Sequence, residues 1–184
     1  AAESAVGDLA RSRFGSTRGL LTNGRLVSYE GERLFLRGIS GGVHLYDSGP
    51  LQLDAVFSAR LDGFDIEDLG RNELLANGVD PGLLSDRDDQ LDAGLRATFR
   101  SPLGSIAIEG LHDVTGTSEG YEIKLDYRYR WKLPSTTLTA SAGGSWLSAD
   151  QAGYYYGTLD EEVARGVTAY DPGSAFVPRV GFSA

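Results

Sequence analysis

His44 and His112 are the only histidines in this 184-residue chain, and it has no cysteine. A hydrolase built into a barrel wall would need a Ser–His–acid set. His112 adjoins Asp113, but neighbours along a strand point to opposite faces, so these two cannot act as a base and its orienting acid. Both histidines read as polar residues near strand ends. Without cysteine there is no thiolate metal site, cysteine nucleophile or disulfide framework. Asp86, Asp88, Asp89 and Asp92 offer hard oxygen donors of the kind divalent cations take. They lack the spacing of a calcium loop, and a solvated loop that repels its neighbours is the expectation. No cofactor and no catalysis are predicted.

Two other groups suggest binding rather than reaction. Tyr154, Tyr155 and Tyr156, with Tyr170 further on, either anchor a partner, since tyrosine is enriched at interfaces, or pack a long connection onto what lies beneath it. The second group is a set of charges of both signs at alternate positions: Asp54 and Arg60, then Asp92, Arg96 and Arg100, then Glu122, Lys124, Asp126, Arg128 and Arg130. If these share an enclosed space they line a pore or pair into a plug. A narrow barrel interior is filled by side chains, so the paired plug is expected.

The elements that would position these residues are strands. In residues 121–133, Tyr121, Ile123, Leu125, Tyr127, Tyr129, Trp131 and Leu133 alternate with six charged residues, the two-residue period of a strand. Thirteen residues exceed the usual five or six of a globular strand and suffice to cross a bilayer. Further strands are predicted over residues 20–29, 33–46, 51–61, 91–100, 105–114, 138–147 and 175–182. In residues 33–46 the alternation is blurred by Leu34, Phe35 and Leu36, and Gly38, Gly41 and Gly42 suggest a bulge or a close backbone approach. Residues 1–19 are a lead-in or a weak first strand. Two long connections, 62–90 and 149–174, interrupt the meander in residues 20–184, and the second holds a possible helical turn over residues 160–164. Eight of the nine excess negative charges fall between residues 62 and 92. The acidic balance argues against nucleic acid as a partner.

Eight strands joined mostly by tight turns make an all-β, antiparallel up-and-down barrel. A soluble barrel would hold the apolar face inside; an outer-membrane barrel turns it towards lipid and keeps the charges in the lumen. Strand length, aromatic residues towards strand ends and the mixed-sign polar faces select the transmembrane version. That makes Tyr121, Ile123, Leu125, Tyr127, Tyr129 and Trp131 lipid-facing.

Several segments resemble the MipA/OmpV family of Gram-negative outer-membrane proteins (MltA-interacting protein). They are residues 29–38, Tyr-Glu-Gly-Glu-Arg-Leu-Phe-Leu-Arg-Gly; Asp86-Arg87-Asp88-Asp89 ahead of Leu91-Asp92-Ala93-Gly94; Gly153-Tyr154-Tyr155-Tyr156-Gly157; Glu161-Glu162-Val163-Ala164-Arg165; and Ala169-Tyr170-Asp171-Pro172-Gly173-Ser174-Ala175. The resemblance implies location in the bacterial outer membrane, among lipid and lipopolysaccharide. It also implies a scaffold role, joining a murein lytic transglycosylase to a penicillin-binding protein in peptidoglycan growth. A small-solute channel or an adhesin on the same barrel is the alternative. Family members continue beyond the point matching Ala184, so closing strands are expected to be missing from this chain.

Four strands separate the two long connections, which therefore emerge on one face. With no strand in residues 1–19 and a periplasmic start, that face is extracellular, the usual place for long loops. With a strand there, both loops are periplasmic.

Overall fold

The computed structural model describes residues 28–184 apart from Asn77. The lead-in over residues 1–19, and the part of the first predicted strand before Ser28, lie outside the described residues. Nine strands form one antiparallel sheet in sequence order: β1 (Ser28–Glu30), β2 (Leu34–Arg37), β3 (Ser40–Asp47), β4 (Leu51–Arg60), β5 (Gln90–Ser101), β6 (Gly104–Asp113), β7 (Tyr121–Lys132), β8 (Thr137–Leu147) and β9 (Ala175–Ser183). Among the described residues β1 and β9 are the two edges, so the wall is open there. The sheet curls: Arg60 on β4 pairs with Glu122 on β7, three strands away. Three strand spacings are about 14 Å on a flat sheet, and curvature shortens that gap across the concave side.

The meander from β4 to β9 follows the predicted strands to within a residue or so at each end. Residues 33–46, expected as one strand, are a hairpin instead. Gly38 adopts φ 66°, a left-handed conformation open to glycine, and folds β2 back on β3 with Arg37 opposite Ser40. Gly42 makes the close backbone approach that was the alternative to a bulge, and a register shift lies further along β3, between His44 and Tyr46. The blurred alternation now has a cause. Leu34 and Leu36 point outwards and are exposed, while Phe35 points inwards and is buried.

The faces are inverted relative to a soluble barrel. Leu95 is 63% exposed, Leu125 54% and Phe57 51%, whereas Asp54 is 1% exposed, Asp92 2% and Glu122 4%. The buried face also has a small apolar core of Phe35, Val56 and Leu111. These lie on one rung across the sheet, which runs Phe35, Gly42, Val56, Gly94, Leu111, Glu122, Leu147. From Phe35 to Leu111 large residues alternate with glycine, so each of these bulky side chains lies beside a neighbour that gives it room. At Gly42 the Phe35 ring occupies the place a Cβ would take.

The connections 31–33, 48–50, 102–103 and 133–136 are at one end of the sheet; both long connections, 61–89 and 148–174, are at the other, with the shorter 38–39 and 114–120. Within 61–89 lie two 3-10 turns (Ile66–Leu69 and Pro81–Leu83) and α1 (Arg71–Ala76). Within 148–174 lie α2 (Ala149–Tyr156) and α3 (Asp160–Ala164). The helical turn expected over residues 160–164 is α3. Helix α2 was not predicted; its sequence signal is Ser148, whose Oγ accepts from Gln151 N at 3.2 Å as an N-cap, followed by Asp150 in the first turn.

Candidate functional site

Most charges on the inner face are paired, and the pairs cross strands. Arg60 donates to Asp92 at 3.3 Å and to Asp62 at 3.0 Å, as well as to Glu122. Lys124 lies 3.5 Å from Glu122 and 3.4 Å from Glu109, and Glu109 also pairs with Arg96. Glu109, one charge on β6, closes this network and was not among the predicted site residues, although its alternation with Ile106 and Ile108 gave its face. Asp54 takes a different partner, His44, whose Nδ1 is 2.6 Å from its Oδ1, and Gln52 Nε2 donates to the same oxygen at 2.7 Å. Towards the tight turns the pairing thins. Asp126 meets Arg179 at 3.3 Å, and Arg100 meets Asp47 at 3.6 Å and Gln52. Arg128 and Arg130 are exposed and have no carboxylate partner among the described residues.

On the opposite face of β7, Tyr121, Ile123, Leu125, Tyr127 and Trp131 are exposed, while Tyr129 is half-buried, edge-on to Trp131 at 4.7 Å. His112 is exposed and its Nδ1 lies 2.6 Å from the Asp113 backbone oxygen. The Asp113 carboxylate points the other way. It accepts from Thr115 N, Ser118 N and Glu119 N, and so shapes the 114–120 turn.

At the long-connection end, one buried ion pair ties the two long loops together. Arg87 is buried, and its strand-like segment bridges Phe64. Its five N–H donors are all used. Nε donates to Tyr154 O at 2.7 Å; Nη1 to Ser85 O at 2.6 Å and Glu162 Oε1 at 3.0 Å; Nη2 to Gly157 O at 3.3 Å and Glu162 Oε2 at 3.0 Å. Glu162 is equally saturated: Ser85 N donates to Oε1 and Leu159 N to Oε2, each at 2.8 Å. Buried charges are tolerated where geometry and further hydrogen bonds satisfy every atom, as here. Burial alone would raise the Glu162 carboxyl; the Arg87, Ser85 and Leu159 hydrogen bonds outweigh it and hold the group below the usual carboxylate range.

The tyrosines divide into two that are packed and two that are exposed. Tyr155 is buried, and its hydroxyl donates to Asp88 O at 3.1 Å or Gln90 Oε1 at 3.2 Å. Burial pushes that hydroxyl above its ordinary range, which keeps it a donor. Tyr154 accepts from Asp88 N at 2.9 Å. These two pack the loops down. Tyr156 and Tyr170 are exposed. The acidic run does not repel its surroundings as expected: Asp86 accepts from Ile66 N at 2.7 Å and Asp89 from Gly63 N at 3.1 Å, so the carboxylates brace the first loop.

The model of the family described as MltA-interacting protein MipA matches residues 11–184. The chain belongs to this family. The MltA-interacting protein of Escherichia coli (strain K12) is 28% identical over 162 residues, covering 86% of this chain and 62% of that protein. The outer membrane protein Omp26La of Vibrio anguillarum and the outer membrane protein OmpV of Vibrio cholerae are each 29% identical over 96 residues, covering 52% of this chain and 37% of each relative. This chain thus spans about three fifths of the length of the first of these MipA relatives. No solved structure matches it. The inverted faces are those of a MipA-family outer-membrane barrel wall. The segments that carried the resemblance, Asp86-Arg87-Asp88-Asp89, Gly153-Tyr154-Tyr155-Tyr156-Gly157 and Glu161-Glu162, converge in space on the Arg87–Glu162 pair.

Proposed function

We propose that this chain forms the wall of a non-catalytic outer-membrane interaction protein. Its partner-facing surface is the pair of clamped loops, and its partner is a murein lytic transglycosylase, held within reach of a penicillin-binding protein. The exposed faces of Tyr121, Ile123, Leu125, Tyr127 and Trp131 meet lipid and lipopolysaccharide, while the paired interior charges plug the lumen. The observation that carries this reading is the clamp. A buried, fully satisfied Arg87–Glu162 pair holds two long connections as one body and leaves Tyr156 and Tyr170 exposed on it. Rigid aromatic residues on a preorganised surface suit protein recognition. The printed name of the Escherichia coli relative supports the choice of partner.

The test is photocrosslinking from position 156 or 170 of the complete protein in intact envelopes. The reading expects a covalent adduct with a lytic transglycosylase from one or both positions; adducts only with other proteins would overturn it. One observation favours a second reading, an adhesin. Both long connections leave the sheet at the same end, and outer-membrane barrels usually keep long loops outside. Protease shaving of intact cells separates the two, because cleavage between residues 62 and 89 would exclude docking of a periplasmic enzyme on this surface.

A further inference from the structure

The inner face is divided by charge. Its long-connection half is rich in carboxylates, and Arg60, Arg96 and Lys124 neutralise them. A cavity of about 870 Å³ reaches from there into the tight-turn half; it is lined by seven basic and four acidic residues, Arg96 and Lys124 among the basic ones, although the whole chain carries a net charge of −9. Two of the basic residues, Arg128 and Arg130, have no carboxylate partner among the described residues. Register explains the open space. The rung that holds Arg128 runs Arg100, Ser105, Arg128, Ser141, Gly181, so small residues flank the two guanidinium side chains. Arg100 and Arg128 stand two strands apart, about 10 Å between Cα atoms. Arg130 follows on the same face about 7 Å along β7.

Unpaired arginines in a partly enclosed space are poised for anions, because the planar guanidinium fork matches phosphate and carboxylate oxygens. Asp126, the nearest carboxylate on the same strand and face, is already engaged by Arg179 at 3.3 Å. We propose that this cavity binds a small oligoanion, a molecule with two or more phosphate or carboxylate groups, through Arg128 and Arg130, with Arg100 assisting from across the rung. The span from Arg100 to Arg128 suits acidic groups several bonds apart better than a single anion. The site lies at the opposite end of the sheet from the clamped loops, and its occupation does not depend on what docks there.

The experiment titrates pyrophosphate and citrate, in separate arms, into the complete protein in detergent micelles, followed by calorimetry. Saturable binding is expected in at least one arm, and the tighter arm assigns the acidic group. The double variant R128Q/R130Q should weaken that binding at least tenfold. R165Q, an exposed arginine change at the far end, should leave it within twofold. A heat-dependent gel shift of both variants, unchanged from the parent, confirms that the barrel is folded. Absence of saturable binding in both arms would overturn the proposal, as would equal affinity in the parent and R128Q/R130Q, or an equal loss in R165Q.

Discussion

Replacing Arg87 with alanine is expected to free the two long loops from each other while leaving the sheet intact. The magnitude follows from what the side chain holds. Its removal strands Glu162, buried among groups that would then include only the Ser85 and Leu159 N–H donors, and deprives Tyr154, Ser85 and Gly157 carbonyls of theirs. Removing one partner of a buried pair typically costs about 3–5 kcal/mol. At about 1.4 kcal/mol per factor of ten, loop opening should become at least 100-fold more frequent. Glu162→Gln tests the same node with almost no change in shape. One carboxylate oxygen becomes an NH₂ facing existing donors, so it should open the loops almost as far. Because both changes break one interaction, the double variant should cost less than the sum of the singles by about 1 kcal/mol or more. Hydrogen exchange read by mass spectrometry is the assay, with peptides from residues 62–89 and 149–174 compared with peptides from β5 to β8. Unchanged protection of the loop peptides in R87A, or equal loss of protection across the strands, would refute the argument that this pair joins the loops.

Leu125 is 54% exposed near the middle of β7 on the lipid side, so Leu125→Arg should cost about 2–4 kcal/mol and reduce assembly into liposomes. Lys124→Gln, one residue along on the inner face, should assemble normally, because Glu109 keeps Arg96 and Glu122 keeps Arg60. The loops should also loosen in acid. The Glu162 carboxyl is held below its unfolded value of about 4.3. Its contribution is therefore fully present above that pH and is lost as pH falls through the folded value. Loop peptides should stay protected at neutral pH and exchange faster only below about pH 4, a dependence that Glu162→Gln abolishes.

The strands were legible because each alternates against one chemical boundary: residues 121–133 separate apolar from charged positions without a break, and residues 51–61 and 91–100 do so except at Val56 and Gly94. The β2–β3 hairpin was not, because Leu34, Phe35 and Leu36 are consecutive apolar residues and a period of two cannot say which points inwards. Only the His44 ring against Phe35, 5.0 Å between centroids, reveals that. Helix α2 was hidden for a related reason. Its three tyrosines serve three different surroundings rather than one apolar stripe. The alternation groups the inner charges on one face, but it does not say which of them pair, since Arg60 and Glu122 are 62 positions apart. The Arg87–Glu162 pair shows the limit most clearly. Both residues lie in motifs that carried the family resemblance, yet 75 positions separate them, and only the curl of four intervening strands brings them together.

That separation has a consequence for how the loops can work. The first long connection leaves β4 and the second leaves β8, so a bond between them spans the mouth of a four-strand half-wall, β5 to β8. Tyr155 adds a second tie, from α2 to Gln90 at the start of β5. Two loops tied to each other and to a strand have little freedom left to lose on binding, whereas ordering a free side chain at an interface costs about 0.5–1.5 kcal/mol. The clamp therefore acts before any partner arrives. It uses Tyr154 and Tyr155 to fix the surface, and it leaves Tyr156 and Tyr170 as the aromatic side chains on that surface free to meet something else.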